Sequence, residues 1–116
     1  MPHISLEFSK GLEETHDTQE ACEALFETLA NHGAFDRGAI KIRAKPVEFF
    51  RIGTEPQTFV HATLLLMDGR DAAIKAQITQ TVLATLERVF PAVGSLTVQD
   101  VEMSRATYAK RVLPAS

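Results

Sequence analysis

The sequence predicts an α+β fold of two tandem βαβ units, forming a four-stranded mixed sheet with two helices on one face. Three observations lead to this prediction. Short segments in which apolar and polar residues alternate predict strands. Two longer segments with apolar residues every three or four positions predict helices. These elements occur in the order strand, helix, strand, and the order is then repeated. Because each unit contains a helical crossover, its two strands should be parallel.

Length and composition limit the class of protein. The chain has 116 residues, 45% of them hydrophobic, which is enough to bury a core as one domain over residues 1–116. We expect the first unit at about residues 2–50, the second at about 58–103 and a C-terminal arm at 104–116. The net charge of −3 argues against a nucleic-acid partner. No apolar run could cross a membrane, and the lack of a signal-peptide pattern predicts a cytoplasmic location.

The first unit begins at the N-terminus. After the first strand comes a turn at residues 9–11, followed by a helix from Asp17, its N-terminal cap, to about Asn31. The apolar stripe of this helix includes Cys22, so we interpret Cys22 as a packed thiol rather than a nucleophile. The first strand is predicted from three alternating apolar residues, namely Ile4, Leu6 and Phe8.

A second strand is expected from about Ala39 to Phe50. Pro46 marks it as an edge strand or a bend. A row of charges is usually a solvated face, and that interpretation stays open beside a positive strip that binds an anionic ligand. The alternation of this strand places three cations on one face, namely Lys41, Arg43 and Lys45.

The second unit begins with a nearly continuous apolar segment at residues 59–67, which predicts a strand buried on both faces. Asp71 is the expected cap of a helix that runs to Phe90, just before Pro91. The repeat of the unit has a faint echo in the sequence at one common offset, where His3 and Gly11 recur as His61 and Gly69.

The last strand is expected over residues 96–103. Its apolar residues change parity between Val98 and Val101, which predicts a β-bulge there. Two helices on one face leave the opposite sheet face bare. Since the strands contain many apolar residues, we expect that face to contact other subunits.

Familiar signatures of catalytic and metal sites are missing. The chain has no glycine-rich phosphate loop and no pair of cysteines, and its four histidines lie on separate elements without the spacing of metal ligands. We therefore expect no metal and no cofactor. Among the histidines, only His3 and His61, both on predicted strands, are retained as functional candidates.

The N-terminus offers an unusual base. If Met1 is removed, as is usual before proline, Pro2 begins the chain with a secondary amine. Modest lowering of the amine pKa, by burial or by nearby cations, would leave it neutral and able to act as a general base. Arginines hold carboxylates and stabilise a developing enolate. These parts fit proton abstraction next to a carbonyl group, without a cofactor. If Met1 is retained, the nitrogen of Pro2 is an amide and has no basicity.

Three motifs accompany the repeated order of elements: the opening PHISLEFS, the GAF before the second strand, and FVHATL ahead of DGR. Together they resemble the 5-carboxymethyl-2-hydroxymuconate Δ-isomerase family of the tautomerase superfamily. The resemblance runs from Pro2 to about Phe90. It implies a tautomerase-like homotrimer whose sheets line a central barrel. It also implies isomerisation, without a cofactor, of 5-carboxymethyl-2-hydroxymuconate or a similar polycarboxylated dienol in homoprotocatechuate catabolism.

The resemblance also implies roles for individual residues. Pro2 corresponds to the family's catalytic proline, which acts as general base and then as general acid, and Arg70 to an arginine that binds or polarises the substrate. Lys41 occupies the place of a further catalytic arginine, because IKIR stands here where relatives have IRxR. Lysine keeps the charge but lacks the planar fork of arginine. Arg43, on the same face, is therefore a substrate-binding candidate, as is His3.

Two other functions stay open at this point. The same fold and base could act on another keto-enol acid, such as a phenylpyruvate-like or halogenated acid. Alternatively, the chain could be a trimeric binding protein that keeps the fold without the chemistry. A lysine at position 41 and a retained Met1 would both favour the binding protein.

Overall fold

The computed structural model of the protein describes residues 1–115. These residues form one four-stranded sheet, two long helices, one short helix and a 3₁₀ turn. No helix in this range is long and apolar enough to cross a membrane. The elements in chain order are β1 (His3–Ser9), α1 (Leu12–Thr15), α2 (Thr18–Ala30), the 3₁₀ turn (Arg37–Ala39), β2 (Lys41–Val47), β3 (Phe59–Met67), α3 (Ala72–Val89) and β4 (Ser95–Met103).

The sheet has the order β2-β1-β3-β4. β1 pairs with β2 in parallel and β3 with β4 in parallel, whereas β1 and β3 are antiparallel. Each half of the chain is therefore a βαβ unit with parallel strands, and the two units meet at the centre of the sheet. The predicted α+β fold with a mixed sheet is confirmed.

Both long helices cover the same face of the sheet, as predicted. Their apolar stripes and alternate residues of β1 and β3 form one buried cluster. Burying each of these side chains contributes roughly 1.5–3 kcal/mol. The most deeply buried members are Ile4, Leu6, Leu25, Leu29, Val60, Leu64, Leu66, Ile78, Val82 and Leu86.

Local signals set the ends of both helices. The side chain of Asp17 accepts a hydrogen bond from the amide of Glu20 at 3.0 Å, and that of Asp71 accepts one from Ile74 at 2.9 Å. These caps satisfy amides that lack partners in the first turn, so both predicted helix starts are confirmed. The short helix α1 lies where only a turn and an unassigned segment were expected.

The two units repeat one backbone feature. Gly11 follows β1 with a φ of +110°, and Gly69 follows β3 with a φ of +111°. Residues with a Cβ rarely adopt this conformation. The same glycine conformation at equivalent points supports the interpretation of the chain as an internal duplication.

β2 is shorter than predicted, because Ala39 lies in the 3₁₀ turn and residues 48–50 follow the end of the strand. Its position at the sheet edge agrees with the prediction from Pro46, since an edge strand tolerates a missing amide donor.

The face of the sheet opposite the helices is mostly polar. The prediction that β3 is buried on both faces is wrong, because His61, Thr63 and Leu65 are only partly buried on this open face. The predicted contact of this face with other subunits does not follow from the apolar content of the strands, because most apolar strand residues point toward the helices. Across the four strands the open face carries Lys41, Arg43, Lys45, His3, Ser5, Glu7, His61, Thr63, Leu65, Thr97, Gln99 and Val101.

The predicted bulge in β4 is also wrong. The pairing of β3 with β4 runs without interruption from Phe59 and Ser95 to Met67 and Met103. The change of parity has another cause. Val98 packs against the core, whereas Val101 lies on the open face opposite Leu65.

Candidate active site

Pro2 lies directly before β1, at the start of the sheet, and is shielded from solvent. Its side chain is fully buried, and its carbonyl oxygen accepts a hydrogen bond from the amide of Lys41 at 3.0 Å. This bond continues the pairing of β1 with β2 to the end of the chain. The N-terminus is therefore held in the sheet and is not a loose tail.

The terminal amine, which belongs to Met1 in this structure, lies in a field of positive charge. Burial lowers its pKa most, followed by the guanidinium of Arg70, with further lowering by Lys41, Arg105 and Lys110. Each cation disfavours the protonated amine. Sequence reasoning proposed Arg70 and Lys41 for this site and missed Arg105 and Lys110. Both of these residues lie in the C-terminal arm, whose sequence has no periodicity from which its position in the fold could be predicted.

Arg70 is held in the turn between β3 and α3. Its guanidinium carbon lies 5.0 Å from the centre of the Phe35 ring, and one of its nitrogens donates to the carbonyl of Met67 at 3.5 Å. Stacking on an aromatic face restrains a guanidinium without using its hydrogen-bond donors. Phe35 was not proposed as a site residue, although it belongs to the GAF motif.

Lys41 lies at the beginning of β2, opposite His3 in the strand pairing. Its ammonium donates to the carbonyl of Ala39 at 3.2 Å. An ammonium has three donors, so this contact fixes the head group without using all of them. Lys41 thus provides a charge at the N-terminus, but not the planar fork of an arginine.

Arg43 and His3 contact each other on the open face. Arg43 donates to Nδ1 of His3 at 3.1 Å, and Nε2 of His3 lies 2.8 Å from the hydroxyl of Tyr108. Partial burial lowers the pKa of His3 most, followed by the charge of Arg43, with smaller effects of Lys41 and the terminal amine. These effects all favour the neutral form of the imidazole. Sequence reasoning missed Tyr108 as a site residue.

Two other candidates lie elsewhere. His61 contacts Thr97 at 2.6 Å and Gln99 at 2.9 Å on the open face, and pairs with Glu7 rather than with the N-terminal end of β1. Cys22 is half-buried on α2, and desolvation raises the pKa of its thiol, which makes it a poor nucleophile. Within residues 1–115, no three His, Cys, Asp or Glu side chains are grouped to hold a metal ion.

The residues of a single chain do not enclose the site at the N-terminus. Four surface grooves formed by the described residues have linings that include neither Pro2, nor Lys41, nor Arg70. The most apolar one, of about 620 Å³, is lined by residues 50–58 of the loop between β2 and β3. That loop groups no charged side chains comparable to those around the amine. The candidate site is therefore identified by the charged groups around the amine and not by a groove in the surface.

Similar solved structures define the class of this protein. A 5-carboxymethyl-2-hydroxymuconate isomerase from Deinococcus radiodurans R1 is 28% identical, with a TM-score of 0.82 over 95% of this chain and 88% of that chain. A 5-carboxymethyl-2-hydroxymuconate delta-isomerase is 18% identical, with a TM-score of 0.84 over 97% of this chain and 89% of that chain. A macrophage migration inhibitory factor-like protein from Entamoeba histolytica has the same fold at 12% identity, with a TM-score of 0.75 over 95% of each chain. The fold and these neighbours define an isomerase of the tautomerase superfamily.

A family model narrows this class. The model of 5-carboxymethyl-2-hydroxymuconate isomerase matches residues 2–107. The chain belongs to this family, and the resemblance found in its sequence motifs is confirmed. The match continues through β4 into the arm, beyond the expected limit near Phe90. No curated protein matches the sequence significantly.

Proposed function

We propose that, once Met1 is removed, the protein catalyses a proton shift in 5-carboxymethyl-2-hydroxymuconate or a similar polycarboxylated dienol, with no cofactor. The nitrogen of Pro2 acts as general base and then as general acid. The observation that carries this proposal is the position of the terminal amine, whose pKa is lowered first by burial and then by the charges of four cations. A neutral amine at physiological pH is what a general base needs.

Removal of Met1 would place the amine on Pro2 itself. The buried position of Pro2 supports this role, because desolvation disfavours the protonated form of an amine. In the proposed reaction the amine takes a proton from a hydroxyl group or a carbon atom of the dienol. The electron pair moves through the conjugated system, and the same proton returns to a different carbon.

Arg70 and Lys41 would stabilise the negative charge that this step creates. Both are close enough to the amine to lower its pKa, so both can act on an anion formed beside it. Arg43 and His3, which are in contact on the same sheet face, would bind a carboxylate farther from the reacting carbon. Together they match a substrate with several carboxylates better than a monoacid.

The proposal includes a homotrimer in which three sheets line a central barrel. The open site of the single chain and its exposed polar sheet face support an assembly that encloses both. A step in homoprotocatechuate catabolism and a cytoplasmic location are the remaining parts of the proposal. Two structurally similar proteins are a 5-carboxymethyl-2-hydroxymuconate isomerase and a 5-carboxymethyl-2-hydroxymuconate delta-isomerase, which supports this choice of substrate.

Two preparations of the same sequence test the role of the amine. One is expressed with active methionine aminopeptidase and the other with the enzyme inhibited, and intact mass shows whether Met1 is present. We expect turnover of 5-carboxymethyl-2-hydroxymuconate only in the preparation that begins at Pro2. Equal turnover in both would reject Pro2 as the base. If neither preparation turns over this substrate, the same assay with phenylpyruvate and halogenated acids decides whether another keto-enol acid is the substrate or the chain is only a binding protein.

A further inference from the structure

We propose that Tyr108 of the C-terminal arm is a positioning residue for substrate binding. Through His3 it fixes the guanidinium of Arg43 on the open sheet face, and thereby sets the affinity for a carboxylate. This inference rests on the carboxylate-binding role proposed above for Arg43. It gives a role in substrate binding to the C-terminal arm, whose residues Arg105 and Lys110 otherwise act only through their charge on the terminal amine.

The hydrogen-bond directions in this chain of residues are fixed by chemistry. A guanidinium only donates hydrogen bonds, so Nδ1 of His3 must accept the bond from Arg43 at 3.1 Å. The neutral imidazole then carries its proton on Nε2, which donates to the hydroxyl oxygen of Tyr108 at 2.8 Å. One tautomer of His3 alone satisfies both contacts.

Tyr108 is also the point at which the arm attaches to the sheet. From residue 104 to residue 115 it is the only side chain that is not exposed. Its ring meets that of His3 edge-on, with centres 5.9 Å apart and planes at 71°. Lys110, two residues farther on, contacts the sulfur of Met1 at 3.4 Å. The arm therefore passes over the N-terminus, and the contact of Tyr108 with His3 joins it to the sheet.

Loss of the Tyr108 hydroxyl would leave Nε2–H of His3 without its acceptor, so that only the hydrogen bond from Arg43 would still favour the Nε2–H tautomer. The imidazole could then carry its proton on Nδ1, where it cannot accept the bond from Arg43. Arg43 would lose its fixed orientation while keeping its charge. Bidentate hydrogen bonding of a guanidinium to a carboxylate depends on that orientation. Binding of the carboxylate should therefore weaken, while the proton transfer at Pro2 stays unchanged.

The test compares Tyr108→Phe, which removes only the hydroxyl, with Thr107→Val as a matched change in the arm. The first measurement is the tautomer of His3 from nitrogen-15 NMR. We expect Nε2–H in the parent protein and in Thr107→Val, and a mixture of tautomers in Tyr108→Phe. An unchanged tautomer in Tyr108→Phe would overturn the proposal. This measurement does not depend on enzymatic activity, so it separates failure of this inference from failure of the proposed function.

The second measurement is the affinity for muconate, an unsaturated dicarboxylate, by calorimetry. Tyr108→Phe should raise its Kd by about threefold to tenfold, the range expected for one lost hydrogen bond, with kcat for the proposed substrate within about twofold. In an Arg43→Met background the same change should have no further effect, because the two residues act through one path. An equal effect of Tyr108→Phe with and without Arg43 would overturn the positioning role.

Discussion

The backbone amide of Lys41 donates to the carbonyl oxygen of Pro2 at 3.0 Å. This bond continues the parallel pairing of β1 with β2, in which His3 lies opposite Lys41. The charge of Lys41 consequently lies near the terminal amine and contributes to the lowering of its pKa. The distance between the proposed base and this cation is set by the sheet, which is more rigid than a loop.

Pro2→Ala should lower kcat by about 10²–10⁴-fold, the contribution of a general base, with little change in KM. Alanine also permits removal of Met1 and leaves a primary amine, but it lacks the ring that fixes φ and fills the buried position of Pro2. Steady-state kinetics on protein of verified mass check this. Unchanged turnover would contradict the role of Pro2.

Removing a cation near the amine should raise its pKa, because the protonated form is then less disfavoured. Arg70→Met should raise the pKa more than Arg105→Met, since Arg70 is the larger of the two influences. The acid limb of the profile of kcat/KM against pH should move to higher pH in the same order. Nitrogen-15 NMR of the amine measures the pKa directly.

Arg37→Met is the control for these variants. Arg37 pairs with Glu27 at 3.1 Å and is not among the charges that act on the amine. If all three arginine variants give the same amine pKa as the parent protein, the cations do not tune the base.

The parts of this structure that depend on local sequence could be predicted. Asp17 and Asp71 cap their helices through amides three residues away, and the hydrophobic periods that follow are local as well. Lys41, Arg43 and Lys45 share a face because side chains alternate along any strand. The grouping of Pro2 and Arg70 in one site came from the family resemblance, since the whole first unit and β3 lie between them in the sequence.

What could not be predicted depends on contacts between distant residues. The arm has no period, so nothing in its sequence indicates that Tyr108 contacts His3 or that Arg105 acts on the amine. The parity of β4 was interpreted as a bulge because Val101 was assumed to face the core. Only the pairing with β3 shows that it lies on the open face.

The duplicated glycines provide a test of fold stability. Gly11→Ala and Gly69→Ala should each lower the free energy of unfolding by about 1–2 kcal/mol, the cost of a left-handed conformation in a residue with a Cβ. No atom lies within 4 Å of the Cβ that either change would add, so the cost is backbone strain alone. Denaturant titration measures it. Gly38→Ala is the control, since Gly38 lacks a positive φ. Equal stability of all three variants would contradict the strain argument.

Arg43→Ala should distinguish a binding strip from a solvated face. Loss of a charge-assisted hydrogen bond costs about 1.5–3 kcal/mol, so KM for a polycarboxylated dienol should rise by roughly 10-fold to 150-fold. KM for a neutral enol should change much less. Lys45→Ala is the matched control, because Lys45 lies on the same strand and face but opposite Glu7, away from the N-terminal end.

Steady-state kinetics with both substrates separate the two interpretations. If Arg43→Ala affects both substrates equally, or if Lys45→Ala has the same effect on the polycarboxylate, the row of cations contributes only general positive potential. An effect restricted to Arg43 and to the carboxylated substrate requires a specific contact, because long-range potential would not distinguish two cations on one strand face.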